Sequence, residues 1–248
     1  MSSPNGGCRV TSEDPQEVLK SKTMSVDTID PSVDKFAQQR SALIRDLEGR
    51  GYVKTRIVRD AMLSIPRELF VPGILRNAAY EDQPQAIPGG QTISAPHMVA
   101  TMCEVAEFEP GMNVLEIGAG SGYNAAVMAA IVSPGRVLTT EVVPVLVENA
   151  RKNLERAGIE NVTVREHDGS TGLKDHAPFD RIMVTCASPG VPGPLVKQLK
   201  PNGILIIPVG DHFLQSLTLV RKDEHGKTHR EERMGCVFVP MRGKYGFR

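Results

Sequence analysis

Hydrophobic positions in the first part of the chain recur at helical spacing. Apolar residues return every three or four positions over Lys35–Leu47 and over Lys54–Leu63, which predicts two helices. The next stretch, from Phe70 to Gly90, is rich in proline and glycine and indicates an ordered loop. A third helix is expected over about Pro96–Glu107.

Beyond Gly111 the pattern changes to short β-rich runs that alternate with helical segments, which is typical of βαβ units and a parallel sheet. The predicted helices cover residues 122–132, 144–157 and 191–199. The predicted strands are Asn113–Ile117, Arg136–Glu141, Val162–Glu166, Phe179–Thr185 and Ile204–Val209. Two more strands, Leu214–Arg221 and Arg233–Pro240, are expected to form an antiparallel hairpin at the sheet edge. The fold class is therefore α/β.

Residues 1–34 differ from the rest in having few large apolar side chains and many Ser, Asp, Glu, Pro and Lys residues. Such a segment cannot offset the entropy lost on folding, so we expect a disordered N-terminal tail. Met24 within it is a candidate translation start. The remainder, residues 35–248, is expected to be one domain, with helices and a loop over 35–110 and the sheet over 111–248.

Composition narrows the function classes. The 29 Lys and Arg residues balance the 29 Asp and Glu residues, which disfavours an obligate nucleic-acid or anionic-membrane binder. Four cysteines lie far apart without a CxxC pair, unlike a zinc ribbon or a disulfide scaffold, and we predict no metal site. Without a membrane-length apolar run or a secretory signal, we expect a soluble cytoplasmic protein.

The segment Val114–Gly122, VLEIGAGSG, links the first parallel strand to a helix. Its glycines allow backbone N–H groups to approach a ligand at the positive end of the helix. They are Gly118, Gly120 and Gly122. The spacing is not that of the dinucleotide fingerprint, because Tyr123 replaces the last glycine. Glu116 would repel a pyrophosphate and attract an ammonium group.

Two further acids end the next strands. Glu141 is placed where a carboxylate can accept both hydroxyls of a ribose, and Asp168 with Gly169 where an adenine edge could lie. Any one of these acids could be a plain exposed strand end. Together, around a glycine loop, they predict a pocket for a nucleoside that carries positive charge and no phosphate, and S-adenosylmethionine fits that description.

The stretch VLEIGAGSGYNAA resembles the first motif of class I methyltransferases. With GGQTISAPHMVA, HDGSTGL, PFDRIMVT and QLKPNGILIIPVG, it resembles protein-L-isoaspartate O-methyltransferases over about residues 35–248. The resemblance implies a Rossmann-like, doubly wound, mostly parallel seven-stranded sheet with an antiparallel edge strand and N-terminal helices. It also implies that the last two strands are connected in an order unusual among methyltransferases.

The same resemblance implies a repair enzyme. It would move a methyl group from S-adenosylmethionine to the free α-carboxylate of L-isoaspartyl residues in damaged proteins, and the ester would close to a succinimide that yields some aspartate. The implied cofactor residues are Glu116, Gly118, Gly120, Gly122, Glu141, Asp168 and Gly169. Ser94 is implied in the active site, His97 as a supporting contact of the substrate, and Val239 in a segment that lies against the bound peptide. Thr92 is expected to bind the substrate beside Ser94. A monomer acting on isoaspartyl proteins is expected. Gln85 and Pro88 depart from the family pattern.

The pair Ser94 and His97 has three interpretations. A nucleophile with its base is disfavoured because there is no GxSxG elbow and no third group. Ser94 could instead cap the helix at Pro96 by accepting the N–H of His97. In the third, Ser94, Thr92 and N–H groups of the 91–95 loop hold the substrate carboxylate, which has a pKa of about 4 and needs alignment and not a base.

Other functions stay open at this point. A tRNA adenine methyltransferase acting on the exocyclic amine is disfavoured because Thr185–Gly190 lacks the Asn/Asp-Pro-Pro-aromatic loop. Enzymes that methylate a ring nitrogen need not carry that loop, but should show a basic surface and stacking aromatics. A non-catalytic cofactor-binding module would be expected to lose Gln91–His97. Metal-dependent catechol-type transfer is disfavoured because no His/Asp ligand set stands out.

Overall fold

Short strands and helices alternate in the computed structural model, which describes residue 1 and residues 31–247, with side chains from residue 35. The helices of this part are α1 (Pro31–Gly49), α2 (Arg56–Ser64), α3 (Pro96–Ala106), α4 (Tyr123–Val132), α5 (Pro144–Arg156) and α6 (Gly193–Gln198). Its strands are β1 (Gln85–Ile87), β2 (Gln91–Ile93), β3 (Asn113–Ile117), β4 (Arg136–Glu141), β5 (Val162–Glu166), β6 (Phe179–Val184), β7 (Leu199–Gly210), β8 (Gln215–Lys222) and β9 (Thr228–Cys236).

The N-terminal region differs from the prediction in its boundary. Residues 2–30 of the predicted tail, with Met24, lie outside the described residues. α1 begins at Pro31, four residues before Lys35, where the first helix was predicted to begin, and proline suits the first turn of a helix. By internal contacts the chain separates into the units Met1–Lys35 and Phe36–Arg248, and the sheet belongs to the second.

Seven strands form one sheet in the order β5-β4-β3-β6-β7-β8-β9. Neighbours from β5 to β7 are parallel, and β8 runs antiparallel to both β7 and β9. The predicted mostly parallel sheet with an antiparallel edge is confirmed. Strand order reverses at β3, whose neighbours are β4 and β6, and ligands of such sheets bind at this switch point.

Helices cover both faces of the sheet. Alternate residues of β3 point to opposite sides: Val114 joins the apolar cluster with α1 to α5, and Leu115 joins a second cluster with α6. Both clusters exclude water, since Val114 and Leu115 are fully buried. The sheet is therefore doubly wound, and its strand ends are held in fixed positions.

Two segments have a secondary structure that differs from the prediction. The predicted loop contains β1 and the turn at Pro88–Gly90, and β2 follows directly, so that Gln85 pairs with Ile93 in a hairpin. β9 covers Thr228–Cys236 and not Arg233–Pro240, because Val239 leaves the sheet edge and accepts the N–H of Ala187 at 2.8 Å.

Candidate active site

A cleft opens at the carboxyl ends of β3, β4 and β6. It contains about 800 Å³ of empty space including its open mouth, within the range of small-molecule sites. Its wall comprises Gln91–Ser94, Val99, Ile117–Ser121, Tyr123, Asn124, Thr140–Val143, His167, Gly169, Thr185, Cys186 and Val239–Arg242. The glycine loop and the Ser94 segment, distant in sequence, thus meet in one cavity.

The glycine loop needs its glycines for different reasons. Gly118 has φ +101°, and a Cβ there would lie 2.6 Å from Thr185 Oγ1, so a side chain would strain the backbone and collide. Gly118 and Gly120 line the cleft as predicted. Gly122 precedes α4 with φ 88° and packs against α5 instead of lining the cleft. It shapes the turn that carries the other two.

Glu141 connects the end of β4 to the glycine loop. One carboxylate oxygen accepts the Gly120 N–H at 3.0 Å, and the other accepts those of Val142 and Val143 at 2.8 and 3.1 Å. Each carboxylate oxygen has two lone pairs, so one acceptor site remains, on the oxygen that accepts the Gly120 N–H, for a ribose hydroxyl. Glu141 lines the cleft where the ribose contact was predicted.

Glu116 does not line the cleft. Its side chain is fully buried, and its carboxylate accepts hydrogen bonds from Thr139 Oγ1 and, at 2.9 Å, from Asn124 Nδ2. Burial raises the pKa of Glu116 to about 7, against the lowering by these two donors. The sequence predicted that Glu116 contacts a ligand ammonium directly. The structure does not place it for such a contact, because its side chain faces the interior beneath α4.

Asn124 stands between Glu116 and the cleft. It lines the cavity, and its Oδ1 is buried without a hydrogen-bond partner among the described residues. Such an atom favours a donor from a ligand, since an unpaired buried acceptor costs free energy. Asn124 was missed from the sequence, where its place one residue after Tyr123 on a helix gave no chemical pattern.

Asp168 and Gly169 separate in the structure. Gly169 lines the cleft, and a Cβ there would lie 2.2 Å from Thr140 Oγ1. Asp168 does not line it: its carboxylate accepts the Ser170 N–H at 3.0 Å, the Ser170 hydroxyl at 2.6 Å and the Lys244 N–H at 2.8 Å. Partial burial raises the pKa of Asp168, but these hydrogen bonds together lower it by more, so its net pKa is below the normal value. Asp168 therefore fixes the C-terminal segment, while Gly169 keeps the place expected for an adenine.

Thr92 and Ser94 line the cleft beside the glycine loop. Within residues 35–247 neither hydroxyl makes a hydrogen bond, so both are available to a ligand. The interpretation of Ser94 as a helix cap is wrong: the N-cap of α3 is Ala95, and the His97 N–H donates to Asp82 Oδ1 at 2.8 Å.

His97 does not line the cleft but packs behind it, against Asp82 and Tyr52. Its Nδ1 lies 2.8 Å from Asp82 Oδ1, and its ring lies 5.2 Å from that of Tyr52. Arg50 donates to the other oxygen of Asp82 at 2.8 Å. Ser94 and His97 share no hydrogen bond, which removes the nucleophile-and-base interpretation. Asp82 was missed because it lies 15 residues from His97 in sequence.

Val239 lines the side of the cleft formed by the C-terminal segment. Its carbonyl accepts the Ala187 N–H at 2.8 Å, and the Met241 N–H donates to the Ala187 carbonyl at 2.7 Å.

The described residues contain no group of three His, Cys, Asp or Glu side chains arranged for a metal ion. No helix in residues 31–247 is both long and apolar enough to cross a membrane.

A doubly wound seven-stranded sheet, with a glycine loop and Glu141 at its switch point, defines the class I S-adenosylmethionine-dependent methyltransferases. The model of one family, protein-L-isoaspartate(D-aspartate) O-methyltransferase, matches residues 38–246. The chain belongs to this family. The match includes the helices and the Ser94 segment upstream of the glycine loop.

Relatives share both the sequence and the fold. A protein-L-isoaspartate O-methyltransferase of Hyperthermus butylicus is 53% identical over 222 residues, 86% of this chain and 92% of that protein. One from Methanopyrus kandleri is 50% identical over 214 residues, 86% and 95% of the two chains. A Plasmodium falciparum enzyme of this description, crystallised with S-adenosyl-L-homocysteine, superposes with a TM-score of 0.73 at 27% identity, covering 82% of this chain and 98% of that one.

Proposed function

We propose that this protein transfers a methyl group from S-adenosylmethionine to the free α-carboxylate of L-isoaspartyl residues in damaged proteins and peptides. The ester then closes to a succinimide, which hydrolyses partly to aspartate. One observation carries the assignment of roles. The unpaired hydroxyls of Ser94 and Thr92 share a cleft with the glycine loop, so an acceptor carboxylate and a methyl donor can meet there.

The residues present fit the cofactor. The backbone at Gly118 and Gly120 allows close approach, Glu141 offers its remaining acceptor site to the ribose, and Gly169 lies in the cleft wall where the adenine would bind. The unpaired Oδ1 of Asn124 suits the ammonium of the methionine portion. When bound, the cofactor supplies an electrophilic methyl group on a sulfonium. Glu116 contributes indirectly, by holding the Asn124 side chain.

The substrate carboxylate needs orientation and desolvation. It is ionised at neutral pH, so no base is required. Ser94 and Thr92 donate hydroxyl hydrogen bonds that align it, and Ile93 and Met241 supply apolar wall that excludes water. Val239 lies against the peptide backbone from the other side. We assign His97 to supporting this loop through Asp82 instead of touching the peptide.

The test is methyl transfer from labelled S-adenosylmethionine to an isoaspartyl peptide, its aspartyl twin and tRNA. We expect transfer to the isoaspartyl peptide only, and transfer to tRNA or the aspartyl peptide alone would overturn the function. Ser94→Ala should slow transfer by about 100-fold, as removal of one positioned donor does elsewhere, with S-adenosylhomocysteine affinity unchanged. The control is Ser64→Ala, at the exposed last residue of α2, where the Ser64 hydroxyl donates to the Ala61 carbonyl. Equal loss of transfer and cofactor affinity in Ser94→Ala would make Ser94 structural.

The remaining assignments complete the proposal. We infer a single methyltransferase domain over residues 35–248 that acts as a monomer in the cytoplasm on isoaspartyl proteins, without nucleic acid or membrane. The balanced charge supports the part of this proposal that excludes nucleic acid and anionic membranes as partners. Light scattering of the purified chain and fractionation of the source cells test mass and location.

A further inference from the structure

Arg67 is a buried cation behind the cleft wall. It begins the short 3-10 helix Arg67–Leu69 and has no exposed surface. Its Nε donates to the Ala79 carbonyl and one terminal nitrogen to the Ser94 carbonyl, each at 2.9 Å. The other terminal nitrogen is buried without a partner in the part of the chain that the structure describes.

No carboxylate of the described residues forms an ion pair with Arg67, although buried charges are ordinarily paired. The neighbouring Glu68 is engaged by the Tyr80 hydroxyl. Burial lowers the pKa of Arg67, yet an arginine stays protonated in proteins. The chain therefore keeps a positive charge in its interior without a direct ion pair, and the Asp82 carboxylate favours that charge only from beyond ion-pair distance.

Both remaining contacts of this charge lead to the cleft. The Arg67 guanidinium carbon lies 4.8 Å from the centre of the Tyr123 ring, and Tyr123 is 3% exposed and lines the cleft. The carbonyl that Arg67 holds belongs to Ser94, whose hydroxyl is unpaired in the same cleft. A carboxylate bound at Ser94 would thus be separated from the Arg67 guanidinium only by the Ser94 backbone and the Tyr123 ring. The two charges would attract each other in a region of low dielectric.

We propose that Arg67 is a positioning residue for the anionic substrate, which rests on the proposed function. Its charge attracts the carboxylate that binds at Ser94, and its hydrogen bond fixes the backbone that carries the Ser94 hydroxyl. Methylation turns the carboxylate into a neutral ester, so the attraction ends with the reaction and the product leaves. The charge acts on substrate affinity more than on the methyl-transfer step, because it also stabilises the bound carboxylate before reaction.

Neutral and charged substitutions separate this role from packing. Arg67→Gln should raise KM for an isoaspartyl peptide about tenfold, the effect of 1.4 kcal/mol, with kcat and the Kd of S-adenosylhomocysteine changed less than about twofold. Arg67→Lys keeps the charge and loses one carbonyl bond, so it should restore most of the KM while melting at a lower temperature. Arg76→Gln, an exposed arginine of the same region, is the control.

Several outcomes decide the question. Equal rises of KM in Arg67→Gln and Arg67→Lys, or a parallel loss of cofactor affinity, would show that Arg67 only supports the fold. Arg67→Met is a second neutral variant if Arg67→Gln does not fold, since apolar replacement of a buried charge is tolerated. A wild-type protein that methylates no isoaspartyl peptide would refute the proposed function itself and is seen before any variant is made.

Discussion

Glu116 provides a quantitative test of the electrostatics beneath the glycine loop. Its carboxylate is fully buried, accepts hydrogen bonds from Thr139 and Asn124, and forms no ion pair within the described residues. Burial raises its pKa from 4.5 to about 7. Glu116→Gln replaces the carboxyl by a neutral amide of the same size, so the variant isolates the cost of the charge.

The sign of the effect follows from proton binding. The folded protein holds the Glu116 proton to about pH 7, whereas the unfolded chain releases it near pH 4.5. Below pH 4.5 both states are protonated and the group adds no pH dependence. Between pH 4.5 and 7 it lowers the free energy of unfolding as pH rises, by about 3 kcal/mol in total. Above pH 7 both states are ionised and the loss is constant.

Urea unfolding at pH 4.5 and at pH 8, without cofactor, measures this loss. We expect the free energy of unfolding of Glu116→Gln, relative to that of the wild type, to be about 3 kcal/mol larger at pH 8 than at pH 4.5. Glu166→Gln, at the exposed end of β5, is the control and should show no such gain. A difference between Glu116→Gln and wild type that is the same at both pH values would refute the reasoning.

Two further substitutions separate the two halves of the cleft. Glu141→Ala removes the proposed acceptor for the ribose and the partner of the Gly120 N–H, so calorimetry should show S-adenosylhomocysteine binding weakened by at least about tenfold. Unchanged affinity would contradict the ribose assignment. Asp82→Asn weakens the hold on His97, so KM for the isoaspartyl peptide should rise severalfold while cofactor affinity stays constant. An unchanged KM would show that the Asp82 contact does not position the loop.

The parallel part of the fold could be predicted because its signals are local. β3, β4 and β5 have the predicted bounds, since short apolar runs end at glycine or at an acid. β1 and β2 have only three residues each, too few to show alternation beside the turn at Pro88. β9 is exposed and polar along most of its length. The last strand was therefore predicted too late in the chain, over the apolar run at 237–239.

The three acids show which property of a site residue the sequence does not predict, namely the partner of its side chain. Glu141 ends β4, Glu116 is next to last in β3, and Asp168 follows the end of β5 by two residues. Only Glu141 of the three lines the cleft. The direction of a strand residue is set by the pleat, and Glu116 lies on the face that packs under α4. Asp168 is engaged by Ser170 and by the Lys244 N–H, 76 residues away. Location along a strand was predictable, whereas the partner of each carboxylate was not.

The two halves of the cleft therefore differ in how they are encoded. The cofactor half is a contiguous loop whose glycines have local reasons to be there. The substrate half depends on side chains that act from a distance: Asp82 holds His97 across 15 residues, and Arg67 holds Ser94 across 27. A loop of QTIS sequence without those supports would keep its hydroxyls and lose their orientation. Substrate recognition should thus be more sensitive than cofactor binding to substitutions in residues 65–85, which no short motif contains.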